Sequence, residues 1–293
     1  LYEVRGSVAK YAHSAREAVD IIGSMVETFG YKGSGRSYIV ADPTEGWVVS
    51  VVKGKHWVAQ RVPDDQVMTI PNYYVIGDVD LDDEENFAGS EDIIDYAISR
   101  GWYDPAKDGA FSFAKAYASE KSLASDNNQS RHREAWNYSF ETERPGEFAS
   151  VPRKKVSLRD MMNVLSLHET IDAEGHLVNS ICNDHTVLSS VFQLRPWMGF
   201  DKGCVMWNAM GHPCSQVFVP WYAGVTQAPA GMGRYQSPTE AELKHMSNTK
   251  DKRKNYPDHF YWKYVDGWDI DDDPAEKQRE IFRERKKFEK EKN

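Results

Sequence analysis

Nowhere in this chain do about 18 apolar residues run consecutively, the length a helix needs to cross a bilayer, so no transmembrane helix is expected within it. Cysteine is scarce too. Cys182, Cys204 and Cys214 are the 3 cysteines, an odd number at wide and unequal spacing, which gives neither a disulfide framework nor a Cys-x-x-Cys motif. Positive charge is in deficit, with 36 Lys and Arg against 45 Asp and Glu and a net charge of -9, and this argues against nucleic acid as a partner, because phosphate binding needs a clustered positive surface. No Pro/Gly/Ser-rich linker divides the chain, and no signal-peptide pattern opens it. The compartment is left open, with an extracytoplasmic setting favoured over a cytoplasmic one.

What is present is enough to build a large core. The 293 residues are 40% hydrophobic and 12% aromatic, with 9 Trp and 15 Tyr, as a well-packed body with aromatic-lined surfaces requires. Ser14 to Phe29 reads as a helix, with Ser14 as N-cap, Glu17 completing a capping box and Ala15, Ala18, Val19, Ile22, Met25, Val26 and Phe29 on one face. Tyr38 to Ala41, Trp47 to Val52, His56 to Val62 and Val67 to Ile70 read as strands, rich in β-branched and aromatic residues and broken by short turns that force antiparallel neighbours.

A short helix is expected from Ser90 to Arg100, then a polar, poorly periodic loop from Phe111 to Gln129. A second capped helix follows Ser157, with Asp160 at the capping-box position. Four more strand-like runs follow: Leu177 to Cys182, Val187 to Leu194, Cys204 to Met210 and Gln216 to Val219. Asp273 to Asn293 is a helix candidate with Pro274 at its first turn and so few apolar positions that most of its surface is expected to be solvated. Periodicity alone supports only an α+β class; residues 1–265 read as the C-terminal portion of a single domain and 266–293 as an acidic turn and charged helix.

The wording of several segments adds to this. Ala41-Asp42-Pro43-Thr44-Glu45-Gly46-Trp47, Gly54-Lys55-His56-Trp57-Val58-Ala59-Gln60-Arg61, Ile70-Pro71-Asn72, Gly101-Trp102-Tyr103-Asp104-Pro105, Val191-Phe192-Gln193-Leu194-Arg195 and Gly211-His212-Pro213-Cys214-Ser215-Gln216-Val217-Phe218-Val219-Pro220-Trp221-Tyr222 resemble, in the same order, the dipeptidase A and secernin family of N-terminal-nucleophile (Ntn) cysteine hydrolases. The resemblance implies a four-layer αββα sandwich of two antiparallel sheets flanked by helices. It also implies hydrolysis of an amide bond, as in a dipeptidase, through a cysteine at the mature N-terminus. Leu1-Tyr2-Glu3 holds no nucleophile, so the chain is expected to follow an N-terminal portion that carries it, as part of a larger or processed polypeptide. The alternative is a non-catalytic binding or assembly protein that keeps the fold.

By the same resemblance, Asn72 is the leading candidate for an oxyanion donor, since a side-chain amide held at a strand end can donate to developing negative charge without reorganising. A plain turn asparagine after Pro71 is the competing reading. Either Arg133 or Arg131 is the candidate for orienting a thiolate or a substrate carboxylate. Trp221 and Tyr222 are candidates for substrate binding, set against a purely structural loop. Cys214 is a poor alternative nucleophile, with no adjacent base in sequence. No metal or cofactor is expected: His176, Cys182, Asp184 and His185 are irregularly spaced for zinc, and Asp78, Asp80 and Asp82 begin a calcium-like loop that fails at Asp83 and Gly89. The glycines at Gly33, Gly35, Gly231 and Gly233 lack phosphate-loop context. The expected partners are a peptide or other amide substrate and a companion N-terminal segment, and a homo-oligomer is compatible with the sequence.

Overall fold

The structure is a computed structural model that describes residues 2–139, 148–167, 180–183, 186–227 and 274–291. It divides into two compact units, the first comprising Leu1–Val156 and Glu169–Ile181, the second Ser157–His168 and Cys182–Asn293. Each is built around its own antiparallel sheet, so the class is α+β.

In the first unit β1 (Tyr31–Ala41), β2 (Gly46–Gly54), β3 (Trp57–Arg61) and β4 (Phe87–Gly89) pair in sequential order. Strand β2 is the centre, and Trp47 to Val52 are all buried. Side chains alternate between faces along a strand, so Trp47, Val49 and Val51 pack with Val19, Ile22 and Val26, while Val48 and Val52 pack with Tyr74, Ile76, Ile93 and Phe113. The first face is covered by α2 (Ala15–Phe29), preceded by α1 (Tyr2–Tyr11), which the sequence pattern did not reveal. Gly23 allows the helix to close on the sheet, because a Cβ there would fall 2.1 Å from the Trp57 ring.

The capping of α2 is half as expected. Ser14 Oγ accepts from Glu17 N, but the Glu17 carboxylate takes the His13 N–H rather than that of Ser14. The β1–β2 turn is held by Asp42. One of its oxygens accepts from Thr44 N, Thr44 Oγ1 and Glu45 N, the other from Ala15 N at 2.8 Å. Burial alone would raise the Asp42 pKa, but these four donors together hold it below the usual carboxylate value.

Two expectations for this unit are corrected. Val67 to Ile70 is not a strand: Val67 makes one isolated antiparallel bridge to Ser150, and the run ends at Pro71, which has no N–H to continue a ladder. Phe111 to Gln129 is not a loop. After α3 (Ile93–Ser99) it contains α4 (Phe113–Tyr117), α5 (Glu120–Leu123) and the start of α6 (Asp126–Ser139). These helices are short, and tertiary contacts such as fully buried Phe113 hold them where periodicity is too brief to register.

In the second unit α7 (Leu158–Leu165) carries the expected capping box of Ser157 and Asp160. Strands β5 (Leu188–Gln193), β6 (Val205–Met210) and β7 (Val219–Tyr222) form a three-stranded sheet in that order, with the short helix α8 (Phe200–Gly203) between β5 and β6. Residues 177–179 lie outside the described residues, and Ser180 to Cys182 belong to no strand. The last strand begins at Val219 rather than Gln216. The helix expected from Asp273, itself outside the described residues, is α9 (Pro274–Glu291). It is docked, not merely solvated. Ile281 and Phe282 join the core of Met162, Val191, Val205, Trp207 and Phe218, and Gln278 both accepts from Phe218 N at 2.7 Å and donates to Phe218 O at 3.2 Å.

Candidate active site

Of the functional candidates in the first unit, Asn72 lies at a cleft beside β1, the end strand of the described sheet. A cleft of about 890 Å³ runs between residues 34–37 of β1, the segment Ile70 to Tyr74, and the chain from Lys115 to Ser122, with Trp102 and Tyr117 in its wall. Tyr74 fixes this geometry. Its hydroxyl donates to the Val51 carbonyl at 2.7 Å, which carries the ring across the sheet beside Gly35. Gly35 has φ 141, and a Cβ there would lie 1.9 Å from the Tyr74 oxygen, so only glycine leaves room. The pairing of β1 with β2 also shifts register between Tyr31 and Gly35. Burial pushes the Tyr74 hydroxyl pKa up, and it acts as a neutral strut.

Asn72 lies two residues before this strut, on the cleft wall and exposed. Its neighbour Tyr73 is held from the other side: the Tyr73 hydroxyl lies 2.5 Å from His132 Nδ1 and donates to Gln129 Oε1 at 3.4 Å. His132 is buried on α6, and burial pushes its pKa down to about 4, so near neutrality the ring is uncharged; with the Tyr73 proton given to Gln129 Oε1, the contact at Nδ1 is an N–H donating to the tyrosine oxygen. The Tyr73 pKa is raised, chiefly by burial, with the Arg133 charge acting in the opposite direction. Pro71, Asn72 and Tyr73 thus sit on a backbone clamped at Tyr73 and Tyr74. Sequence reasoning missed Tyr73, Tyr74 and His132, whose partners are 23 and 59 residues away in sequence, and no local pattern signals such pairs.

The two arginine candidates separate. Arg131 spends its guanidinium on its own helix, with Nε donating to Asn127 O at 3.1 Å and Nη2 to Asn128 Oδ1 at 2.9 Å. Arg133 is exposed, and its charge acts on the Tyr73 hydroxyl. Trp221 and Tyr222 belong to β7 of the second unit. The Tyr222 hydroxyl donates to Glu289 Oε1 at 3.3 Å and its ring packs on Phe288. Among the described residues that line the cleft there is no cysteine and no histidine. No group of three or more His, Cys, Asp or Glu side chains suited to a metal occurs among the described residues, and His176, Asp184, His185, Gly231 and Gly233 lie outside them. Asp80 and Asp83 are used in turns, accepting from Asp82 N and Asn86 N. Among the described residues no helix is long and apolar enough to cross a membrane.

These features sit in a chain whose residues 5–249 match Peptidase family C69, and the chain belongs to that family. It is similar to the dipeptidase of Bifidobacterium longum (strain NCC 2705), with 28% identity over 76% of this chain and 47% of the relative. It is also similar to the probable dipeptidase of Salmonella dublin, 26% identical over 86% of this chain and 66% of the relative, and to the probable dipeptidase of Latilactobacillus sakei, 30% identical over 73% and 48%. The chain spans about half the length of most curated relatives it matches.

Proposed function

We propose that this chain supplies part of a dipeptidase that hydrolyses the amide bond of a dipeptide through an N-terminal cysteine nucleophile lying outside residues 1–293. The observation that carries the reading is Asn72: an uncommitted amide donor on the wall of a cleft, on a backbone clamped by two tyrosine hydrogen bonds, one part-buried and one buried. A donor held this way stabilises an oxyanion without reorganisation in the transition state. The family membership and the names of the relatives support the same chemistry.

In this scheme the thiolate attacks the carbonyl carbon and the oxyanion that forms is held by the Asn72 amide; its collapse breaks the C–N bond and expels the second residue as its protonated amine, and water then cleaves the acyl-enzyme, releasing the first residue as its acid and restoring the thiol. Arg133 is the preferred cation of the pair, because Arg131 is already bonded within α6. Trp221 and Tyr222 are proposed as substrate contacts on the family resemblance, and the four-layer αββα sandwich is proposed as the fold of the complete protein. The test is Asn72→Ala in the full-length enzyme. Turnover of dipeptides should fall about 100- to 1,000-fold. Tm should hold, since Asn72 is exposed. Turnover at the wild-type level would remove Asn72 from the mechanism, and a full-length protein without dipeptide hydrolysis would remove the activity itself.

A further inference from the structure

We propose that Cys182 and Cys214 form a disulfide when the protein meets a low-molecular-weight disulfide oxidant. The inference stands on the second unit alone and does not depend on the proposed activity. The two Sγ atoms are 3.5 Å apart, in contact but unbonded, and a disulfide needs about 2.05 Å. Side-chain rotation with a small backbone adjustment covers that difference.

The contact is built by the fold rather than left to two mobile loops. Both cysteine segments are fastened to the C-terminal end of α7. Cys182 N donates to Leu167 O at 2.9 Å, and Ser166 Oγ donates to Pro213 O, next to Cys214, at 3.2 Å. Each segment is also closed on itself, by Thr186 N to Asn183 O at 2.8 Å on one side and Ser215 N to His212 O at 3.1 Å on the other. The turn that carries Cys214 leads directly into buried Val217 and Phe218 and then β7, so its position is set by the core.

Exposure divides the roles. Cys214 is exposed and Cys182 fully buried, so an oxidant reaches Cys214 first. The Cys214 thiolate attacks one sulfur of the small disulfide, and the other half leaves as a thiolate. Cys182, giving its proton to water, then attacks Cys214 Sγ and expels the second half. One S–S bond forms in the protein, one is broken in the oxidant, and the oxidant leaves as two thiols. Cys204 serves as the internal control: it is buried, its thiol pKa is raised chiefly by burial, and no disulfide involves it.

The experiment treats the chain with oxidised glutathione, then counts thiols after denaturation and maps peptides without reduction. The 3 thiols should fall to one, on Cys204, with a peptide linking Cys182 to Cys214 and a protein mass lower by two hydrogens. Oxidation should raise Tm by several degrees, and dithiothreitol should reverse it. Cys214→Ser should abolish both the link and the Tm rise. Cys182→Ala should leave Cys214 as a mixed disulfide with glutathione. Because Cys182 is buried and its variant can misfold, the exposed Cys214→Ser variant decides on its own. Two persistent thiols at these positions, separate glutathione adducts in the unmutated chain, or a link through Cys204 would each overturn the proposal.

Discussion

Gly35 and Tyr74 act as one device, and a double-mutant cycle measures it. Tyr74→Phe removes the hydroxyl that donates to Val51 O at 2.7 Å and should cost about 1–1.5 kcal/mol. Gly35→Ala forces an alanine to φ 141, a strain of about 1–3 kcal/mol, and adds a Cβ only 1.9 Å from the Tyr74 oxygen. The ring must then leave its place or the strand must shift, and the same hydrogen bond is lost. The total for Gly35→Ala should therefore reach about 3–4 kcal/mol.

On the Tyr74→Phe background the colliding oxygen is gone and the nearest remaining ring atom is Cζ at 2.9 Å. The backbone strain persists while the worst collision and the hydrogen-bond loss do not recur. The two changes should then be less than additive by about 1–2 kcal/mol, well outside the roughly 0.5 kcal/mol scatter of independent sites. Urea unfolding of the four variants at constant m gives the coupling directly. Additivity would refute the strut. In the full-length enzyme Gly35→Ala should also depress turnover, by up to about 100-fold, because a displaced Tyr74 carries Asn72 off its position.

Protonation of His132 offers a second check. Its folded pKa lies below the unfolded value of 6.5, so its contribution to stability is complete above pH 6.5 and is lost as pH falls toward about 4. His132→Gln should flatten the stability profile in that window. Arg133→Ala should impair dipeptide hydrolysis in the full-length enzyme, while Arg131→Ala should act on α6 stability and leave turnover close to wild type, as steady-state kinetics of the pair would show. In the second unit Glu289→Ala should cost about 3–5 kcal/mol by chemical denaturation, because it strands the buried Arg195 guanidinium that Glu289 meets at 2.9 Å.

The sheets were legible where the chain repeats a local rule. The alternation of Trp47, Val49 and Val51 against Val48 and Val52 is written in consecutive residues, and the Ser157 and Asp160 capping box spans a single turn. Asn72 was singled out by the wording around it, and it lies on the cleft wall. What holds it in place was not legible, because Tyr73 with His132 and Tyr74 with Val51 are pairs made across the fold. The helices of 113–123 were missed for a related reason: each is 4 or 5 residues long, little more than one helical turn and too short for the period to repeat, and packing supplies what periodicity cannot.

The C-terminal helix shows how a charge-rich segment can be misread by counting apolar residues. Glu289 looks like one of many solvated charges, yet it accepts from Arg285 Nε on its own helix, Arg195 Nη1 from the residues after β5, and the Tyr222 hydroxyl of β7. Arg195 in turn donates to Gly203 O and Lys202 O, so its buried charge is met on every side by acceptors. Burial alone would raise the Glu289 pKa, but the two arginines together hold it below the ordinary value. Its ion pairs are therefore intact above pH 4.5 and weaken as pH falls through the lower, folded pKa. Phe282 against Trp207 and Phe288 against Tyr222 supply the apolar part of the same seam. Polar residues thus carry the docking of α9, since four apolar side chains could not bury an 18-residue helix by themselves, and the alternating Glu, Lys and Arg pattern records that seam as much as it records solvation.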